Sequence, residues 1–292
     1  MLTSYSNSVI NMFLLTTIFL LGLTVGSFLN VLIYRLPRTV LSKRLRTVLG
    51  SIVYGRSKCP KCKHVLAWYD LVPLFSFIFL KGRCRYCKKP FSGRYFFVEI
   101  LTGLLFLTFF ALQRPGSLYG YLDLSFWLFV FSTLLVLAFI DLDYFIIIDK
   151  ILIVLVLITF LYQVFRKYVV LAEPATIGGI FNIYPNLLTA FLSGLIFLLI
   201  FWATKGRGIG LGDVKFIFVL GFLLGFPGIL IVVYLSLLAG MIWGLALILF
   251  FGASMKSKIA FGFILANAAI VFMLFNQFLT AKFAPYIFRL YL

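Results

Sequence analysis

Eight carboxylates and four thiols carry most of the chemistry available to this 292-residue chain, and both sets are clustered. Asp141, Asp143 and Asp149 share the stretch FIDLDYFIIIDK, while Asp213 closes the glycine-rich run GIGLGD. Two carboxylates brought into one site cannot both ionise cheaply, so the pair holds a proton between an acid and a base. Such a pair activates a water for attack on a peptide carbonyl and protonates the leaving amine. Gly210 and Gly212 leave room beside Asp213 for a neighbouring or substrate backbone. Asp141 and Asp213 are therefore the candidate catalytic pair of an aspartic peptidase. Two other readings stay open on composition and topology. Asp213, and Asp149 before KILIVLVLITFLYQVF, could each simply cap a helix. Acids inside a membrane also serve as proton or ion relays in transporters. Asp123 and Glu173 are expected to be solvated in short external loops.

The thiols form a second constellation. Cys59, Cys62, Cys84 and Cys87 make two C-x2-C pairs with 21 residues between them. Paired knuckles of this kind close a tetrahedral thiolate site, so a structural zinc ion is expected on all four. Two disulfides are the alternative, but such bonds rarely persist in the reducing cytoplasm where this loop is assigned. A redox role is disfavoured because no thioredoxin-like strand and helix pattern surrounds them. His64, the one histidine, is not counted among the ligands.

The elements that must position these groups are membrane helices. Hydrophobic residues make up 63% of the chain and charged residues 12%, with a mean hydropathy of +1.14. Apolar runs near 9–34, 96–113, 125–140, 151–165, 186–204, 214–225, 228–251 and 259–281 approach the roughly 20 residues a span needs. The turn GFPG separates the sixth from the seventh. Of the 26 Lys and Arg, 15 lie between Arg35 and Arg94. An eight-span layout leaves only Arg114, Arg166, Lys167, Lys282 and Arg289 on the face opposite this basic loop, as the positive-inside bias requires. The net charge of +18 therefore marks a cytoplasmic face and not a nucleic-acid partner. The first apolar stretch lacks a basic n-region and exceeds a signal h-region, so it is expected to be a true span with its N-terminus outside. The expected fold is an all-α polytopic membrane protein of about eight transmembrane helices with a small cytoplasmic zinc-binding loop domain. Its expected divisions are a first helix (1–34), the basic four-cysteine domain (35–95) and a transmembrane protease bundle (96–292).

The ordered motifs resemble those of the bacterial type IV prepilin peptidases, membrane aspartyl proteases with a GxGD motif. The similarity covers most of the chain. GSFLNVLIYRLP (Gly26 to Pro37) resembles the family's first-helix signature. The segment from CPKCKHVLAWYD through KGRCRYCKKPFSGRYFFVEILTG resembles its zinc-bearing loop, including Trp68, Tyr69, Asp70, Arg94, Tyr95 and Glu99. FIDLDYFIIID and GLGDVK resemble the stretches carrying the two catalytic aspartates, with Gly210, Gly212 and Lys215 in the second. Ile148 stands where the family usually has proline before Asp149. KIAFGFILANAA keeps Phe261 and Gly262 of a closing motif but lacks two prolines.

The resemblance implies that Asp141 and Asp213 are catalytic, that Asp149 supports them, and that Asp143 either backs the pair or contacts the leader. It implies cleavage of the basic leader of type IV prepilins or pseudopilins, after a glycine, at the cytoplasmic edge of the inner membrane. Methylation of the new N-terminus with S-adenosylmethionine would follow, with GSFLN and the knuckle loop as candidates for the donor site. A basic leader needs acids to receive it, and Asp143, Asp149, Asp70 and Glu99 are available. The competing readings are a peptidase without methyltransferase activity, a proton-coupled transporter using the same acids, and a scaffold anchored by the zinc loop.

Overall fold

The computed structural model describes residues 2–41, 55–169, 183–206, 208–252 and 258–289. Among these residues the chain is almost wholly helical and contains no strand beyond two isolated bridges. Five helices among the described residues are long and apolar enough to cross a membrane, which makes this a multi-pass membrane protein. The chain divides into two compact units, Met1–Ser132 and Thr133–Leu292. Glu173 and much of the basic loop lie outside the described residues.

In the first unit, α1 (Leu2–Leu41) packs against α3 (Arg94–Gln113). Glycine sets their closeness. A Cβ added at Gly22 would lie 2.7 Å from Gly103 Cα, and one at Gly26 would lie 2.8 Å from Glu99 Cα. Small residues spaced by four let helix backbones meet in lipid, where water supplies no hydrophobic drive. Helix α1 continues past the expected end at residue 34, because hydropathy marks the border of the membrane and not the end of the helix. Between α1 and α3 lie the two cysteine knuckles, a 3-10 turn (Trp68–Leu71) and the short α2 (Phe75–Phe79). The apolar stretch between the knuckles is thus not a span. Phe77 stacks on Phe96 with ring centroids 5.1 Å apart, while Phe75, Ile78 and Phe79 are exposed.

Helix α4 (Leu118–Tyr144) enters the second unit with a deeply buried run from Leu134 to Asp141. Asp123 belongs to this helix, where the sequence suggested a loop. Helix α5 (Asp149–Val169) buries Leu152, Leu155, Thr159 and Gln163, one stripe at helical spacing. The Gln163 amide donates to the Phe222 carbonyl at 3.1 Å and ties α5 to α7. Helix α6 (Ile183–Ala203) packs along α7 (Leu211–Phe251). The expected sixth and seventh spans are two limbs of α7, broken at Gly225 and Phe226 before Pro227. Gly225 has φ 63°, and an added Cβ would collide with the Asn186 side-chain oxygen, so both backbone and space demand glycine. The expected last span is also divided, into α8 (Phe261–Leu274) and α9 (Asn276–Arg289).

Candidate active site and thiol cluster

Asp141 closes the buried stretch of α4 and is only 5% exposed. A buried carboxylate needs hydrogen-bond donors, and α8 supplies one. The first turn of α8 follows Ala260, which offers no side-chain cap, so its N–H groups lack intrahelical partners. The Phe263 amide donates to Asp141 Oδ2 at 2.9 Å. Gly262 makes that approach possible, since a Cβ there would stand 2.9 Å from Oδ2 and 3.0 Å from Cγ of Asp141. In the sequence, Phe261 and Gly262 stood out only as part of a likeness. The amide itself was invisible, because almost any residue carries one.

Asp213 sits in the first turn of α7 and accepts from the Gly210 amide at 3.2 Å. It is not the N-cap residue considered from sequence. Gly210 holds that place in extended conformation, and Asp213 reaches back to it as in one half of a capping box. The same side chain lies within electrostatic range of Asp141. Ile147 fills the space between the two glycines, because an added Cβ at Gly212 would be 3.2 Å from Ile147 Cβ and one at Gly262 would be 3.0 Å from Ile147 Cδ1. The two acids therefore share a wall built from Gly212, Ile147 and Gly262. One is fixed by a backbone amide, and the other stands at a helix N-terminus, where the dipole favours negative charge.

The remaining acids divide between the units. Asp149, at the start of α5, accepts from Lys215 Nζ at 2.9 and 2.8 Å, and both side chains are about half exposed. The sequence named both residues but not their pairing, which joins positions on different helices. The pair stands at a largely apolar groove of about 640 Å³ lined by Leu152, Val156, Phe191, Gly194 and Phe218. Asp143 is exposed near the end of α4. Asp70 and Glu99 belong to the first unit. Asp70 is buried, takes Arg85 Nε at 2.7 Å, and accepts from the Ala67 amide at 3.3 Å. Arg85 is held more firmly in its charged form by that hydrogen bond to Asp70. Glu99 is 8% exposed and accepts from the Leu74 amide at 2.9 Å.

The four thiols converge. Their Sγ atoms all lie within 4.8 Å of one another, and the Cys59–Cys87 separation is 3.9 Å. Zinc–sulfur bonds of about 2.3 Å in a tetrahedron would set sulfurs about 3.8 Å apart, so the cluster fits such an ion. The two knuckles repeat one backbone pattern. Cys59 N donates to His64 O and Lys63 N to Cys59 O, each at 2.9 Å; Cys84 N donates to Lys89 O and Lys88 N to Cys84 O at the same distance. Lys63 and Lys88 both take positive φ to close these turns. Burial opposes ionisation of Cys59, but the Cys62 and Lys61 backbone contacts outweigh it and bring the thiol down to about 7. At Cys62 the His64 backbone contact favours the thiolate, yet desolvation and the neighbouring thiols push it up to about 11. Four thiols at this spacing suit a cation, which would hold them as thiolates. His64 is not among the clustered groups, and its ring is tilted by 36° against Tyr86 with centroids 3.7 Å apart.

Known proteins share this arrangement of motifs. The pattern of the bacterial peptidase A24 N-terminal domain matches residues 20–112, and that of the type IV leader peptidase family matches residues 128–245. The prepilin leader peptidase/N-methyltransferase of Aeromonas salmonicida (strain A449) is 34% identical over 284 residues, covering 90% of this chain and 91% of that one. Its counterpart in Klebsiella pneumoniae is 34% identical over 213 residues, covering 73% and 86%. The Myxococcus xanthus (strain DK1622) protein of the same name is 50% identical over 123 residues, which are 42% of this chain and 32% of that protein. No solved structure matches the chain.

Proposed function

This chain belongs to the type IV leader peptidase family, and from that premise we propose that it cleaves the basic leader of prepilins or pseudopilins with Asp141 and Asp213. The observation that carries the proposal is the shared wall. Asp141 is held on the Phe263 amide beside Gly262, within electrostatic reach of Asp213. With one proton between them, the ionised carboxylate draws a proton from water as the water oxygen attacks the scissile carbonyl. The protonated partner gives its proton to the carbonyl oxygen. Collapse of the tetrahedral adduct breaks the C–N bond, and a proton returned from the pair leaves with the amine. The ionisation of each carboxylate then alternates through the cycle.

The substrate's apolar helix stays in lipid against the bundle, and its leader reaches the pair at the cytoplasmic edge of the inner membrane. The concentration of Lys and Arg between Arg35 and Arg94 supports that orientation. Asp143 and Asp149, exposed on the same unit as the pair, receive the leader's basic residues, and Lys215 positions Asp149. Gly210 leaves room beside Asp213 for the substrate backbone, and Gly212 lets Ile147 pack close at its flank. In functional terms residues 1–34 anchor the chain, 35–95 form the basic four-cysteine domain, and 96–292 hold the protease bundle.

Cys59, Cys62, Cys84 and Cys87 would hold zinc as a structural ion, since four thiolate ligands leave no place for a reactant. So held, the thiols would fix a loop too small to fold on its own core. The relatives' printed names couple peptidase to N-methyltransferase, and we extend both activities to this chain. S-adenosylmethionine, when bound, supplies the methyl group for the new N-terminus.

The test uses purified protein in lipid nanodiscs with a prepilin substrate. Asp141→Asn and Asp213→Asn should each lower cleavage by about 10³-fold or more while retaining metal and fold, consistent with loss of an acid–base group. Cleavage at the wild-type rate in either variant would exclude this pair.

A further inference from the structure

The first unit contains a cavity of about 710 Å³ bounded by α1, α3 and the knuckle loop. Its size suits a small molecule, since ligand sites commonly enclose about 300–1,000 Å³. Its lining is not that of an idle void. Glu99 reaches it from α3, is 8% exposed, and receives the Leu74 amide and the Ser27 hydroxyl. An ionised carboxylate has about four acceptor positions, so two remain, and no cation neutralises Glu99 among the described residues. Asn30, also lining the cavity, is 3% exposed. Its Nδ2 donates to the Tyr95 carbonyl at 3.0 Å, while its Oδ1 has no partner among the described residues. A buried acceptor left unmatched is costly in a protein that binds nothing there.

We infer that this cavity is the methyl-donor site, with Glu99 facing the donor's positive sulfonium and ammonium groups and Asn30 Oδ1 accepting from its polar N–H or O–H groups. The inference rests on the methyltransferase reading above and assigns it to residues. The rest of the lining suits the same ligand. Tyr34, Phe77 and Phe96 offer flat apolar surface to a purine ring. Lys58, Lys63 and Arg83 stand ready for a ligand carboxylate. Gly26 explains why this place can be so tight: it lets α1 approach Glu99 and sets Ser27 beside it. The Asp70–Arg85 pair forms another part of the wall, so the knuckles carrying the thiols also shape the cavity.

The experiment measures calorimetric binding of S-adenosylmethionine and of S-adenosylhomocysteine, which has a neutral sulfur, to the full-length zinc-loaded protein. Methylation of the cleaved product is followed in parallel. Glu99→Gln keeps an oxygen for the Leu74 amide and should weaken the sulfonium compound at least about tenfold but the neutral one less than about threefold. Asn30→Leu should weaken both about tenfold. Ser76→Trp, placed on α2 at the cavity wall, should block both by filling the space, and it stands in if Glu99→Gln fails to fold. Metal content and melting temperature identify folded variants. Wild-type affinity for both compounds in Glu99→Gln and Ser76→Trp, with methylation intact, would place the donor elsewhere and leave the methyltransferase reading standing. A wild-type protein that cleaves but neither binds donor nor methylates would overturn that reading and this site together.

Discussion

Adding one methyl group at Gly262 should disable the carboxylate pair without unfolding the bundle. In Gly262→Ala the new Cβ would sit 2.9 Å from Asp141 Oδ2, 3.0 Å from Asp141 Cγ and 3.0 Å from Ile147 Cδ1. Ordinary van der Waals contact begins near 3.4 Å, so the carboxylate or the start of α8 must retreat by roughly 0.5 Å. Retreat lengthens the 2.9 Å bond from the Phe263 amide to about the limit of a hydrogen bond. A hydrogen bond to a charged group contributes about 1.5–3 kcal/mol, which is about 10- to 100-fold in rate if it holds Asp141 in its reacting position. Folding should change less, because alanine gains up to about 1 kcal/mol over glycine in a helix and offsets part of the crowding. Cleavage of a prepilin in nanodiscs should therefore show kcat reduced about 10- to 100-fold, KM little changed, and a melting temperature within a few degrees of wild type. Gly240→Ala, whose Cβ would meet only Ile264 Cδ1 at an ordinary 3.7 Å, is the matched control and should cleave normally. A kcat within twofold of wild type for Gly262→Ala would refute the role given to the Phe263 amide.

Four further outcomes follow from other contacts. Asp149→Asn, and Lys215→Met through it, should raise KM for a basic leader about 3- to 10-fold with kcat within twofold, and a loss of kcat at constant KM would contradict the leader role. Because the Asp149–Lys215 pair is about half exposed, its coupling to stability in a double-mutant cycle should stay below about 1 kcal/mol. Gln163→Leu strips the Phe222 carbonyl of its donor and should cost about 1–3 kcal/mol of stability, read as a lower melting temperature, while surviving folded protein cleaves normally; an unchanged melting temperature would show that this bond holds nothing. Cys84→Ser or removal of metal by a chelator should release the cluster and expose residues 59–89 to protease, and full metal content in Cys84→Ser would remove Cys84 from the ligand set.

The parts of the fold legible in the sequence were those governed by short spacing or by lipid. Two C-x2-C pairs announced their convergence because a metal's ligands recur at fixed local intervals. The apolar runs announced helices because the bilayer imposes their length, and GFPG marked the break in α7 because Gly225 needs positive φ. Other features had no comparable mark. The division at Phe275 is followed by Asn276 and Gln277 but by no glycine or proline, and two polar residues are too few to interrupt the apolar run. The amides of Gly210 and Phe263 belong to the backbone, and no side-chain type reports them. Asp149 and Lys215 are each readable as charges, but their meeting depends on how α5 leans on α7. Asp70 looked like an acid open to a leader, and the fold turns it inward onto Arg85.

The break at Gly225 has a bearing on what holds the carboxylates in place. The first limb of α7, from Leu211 to the break, has about 14 residues, and α8 has 14; at 1.5 Å per residue each is about 21 Å long. Neither alone matches a hydrocarbon layer about 30 Å deep, and both bury most of their side chains among neighbouring helices. Asp213 and the Phe263 amide thus stand in the first turns of two short segments shielded by protein, so packing, more than contact with lipid, keeps them in register.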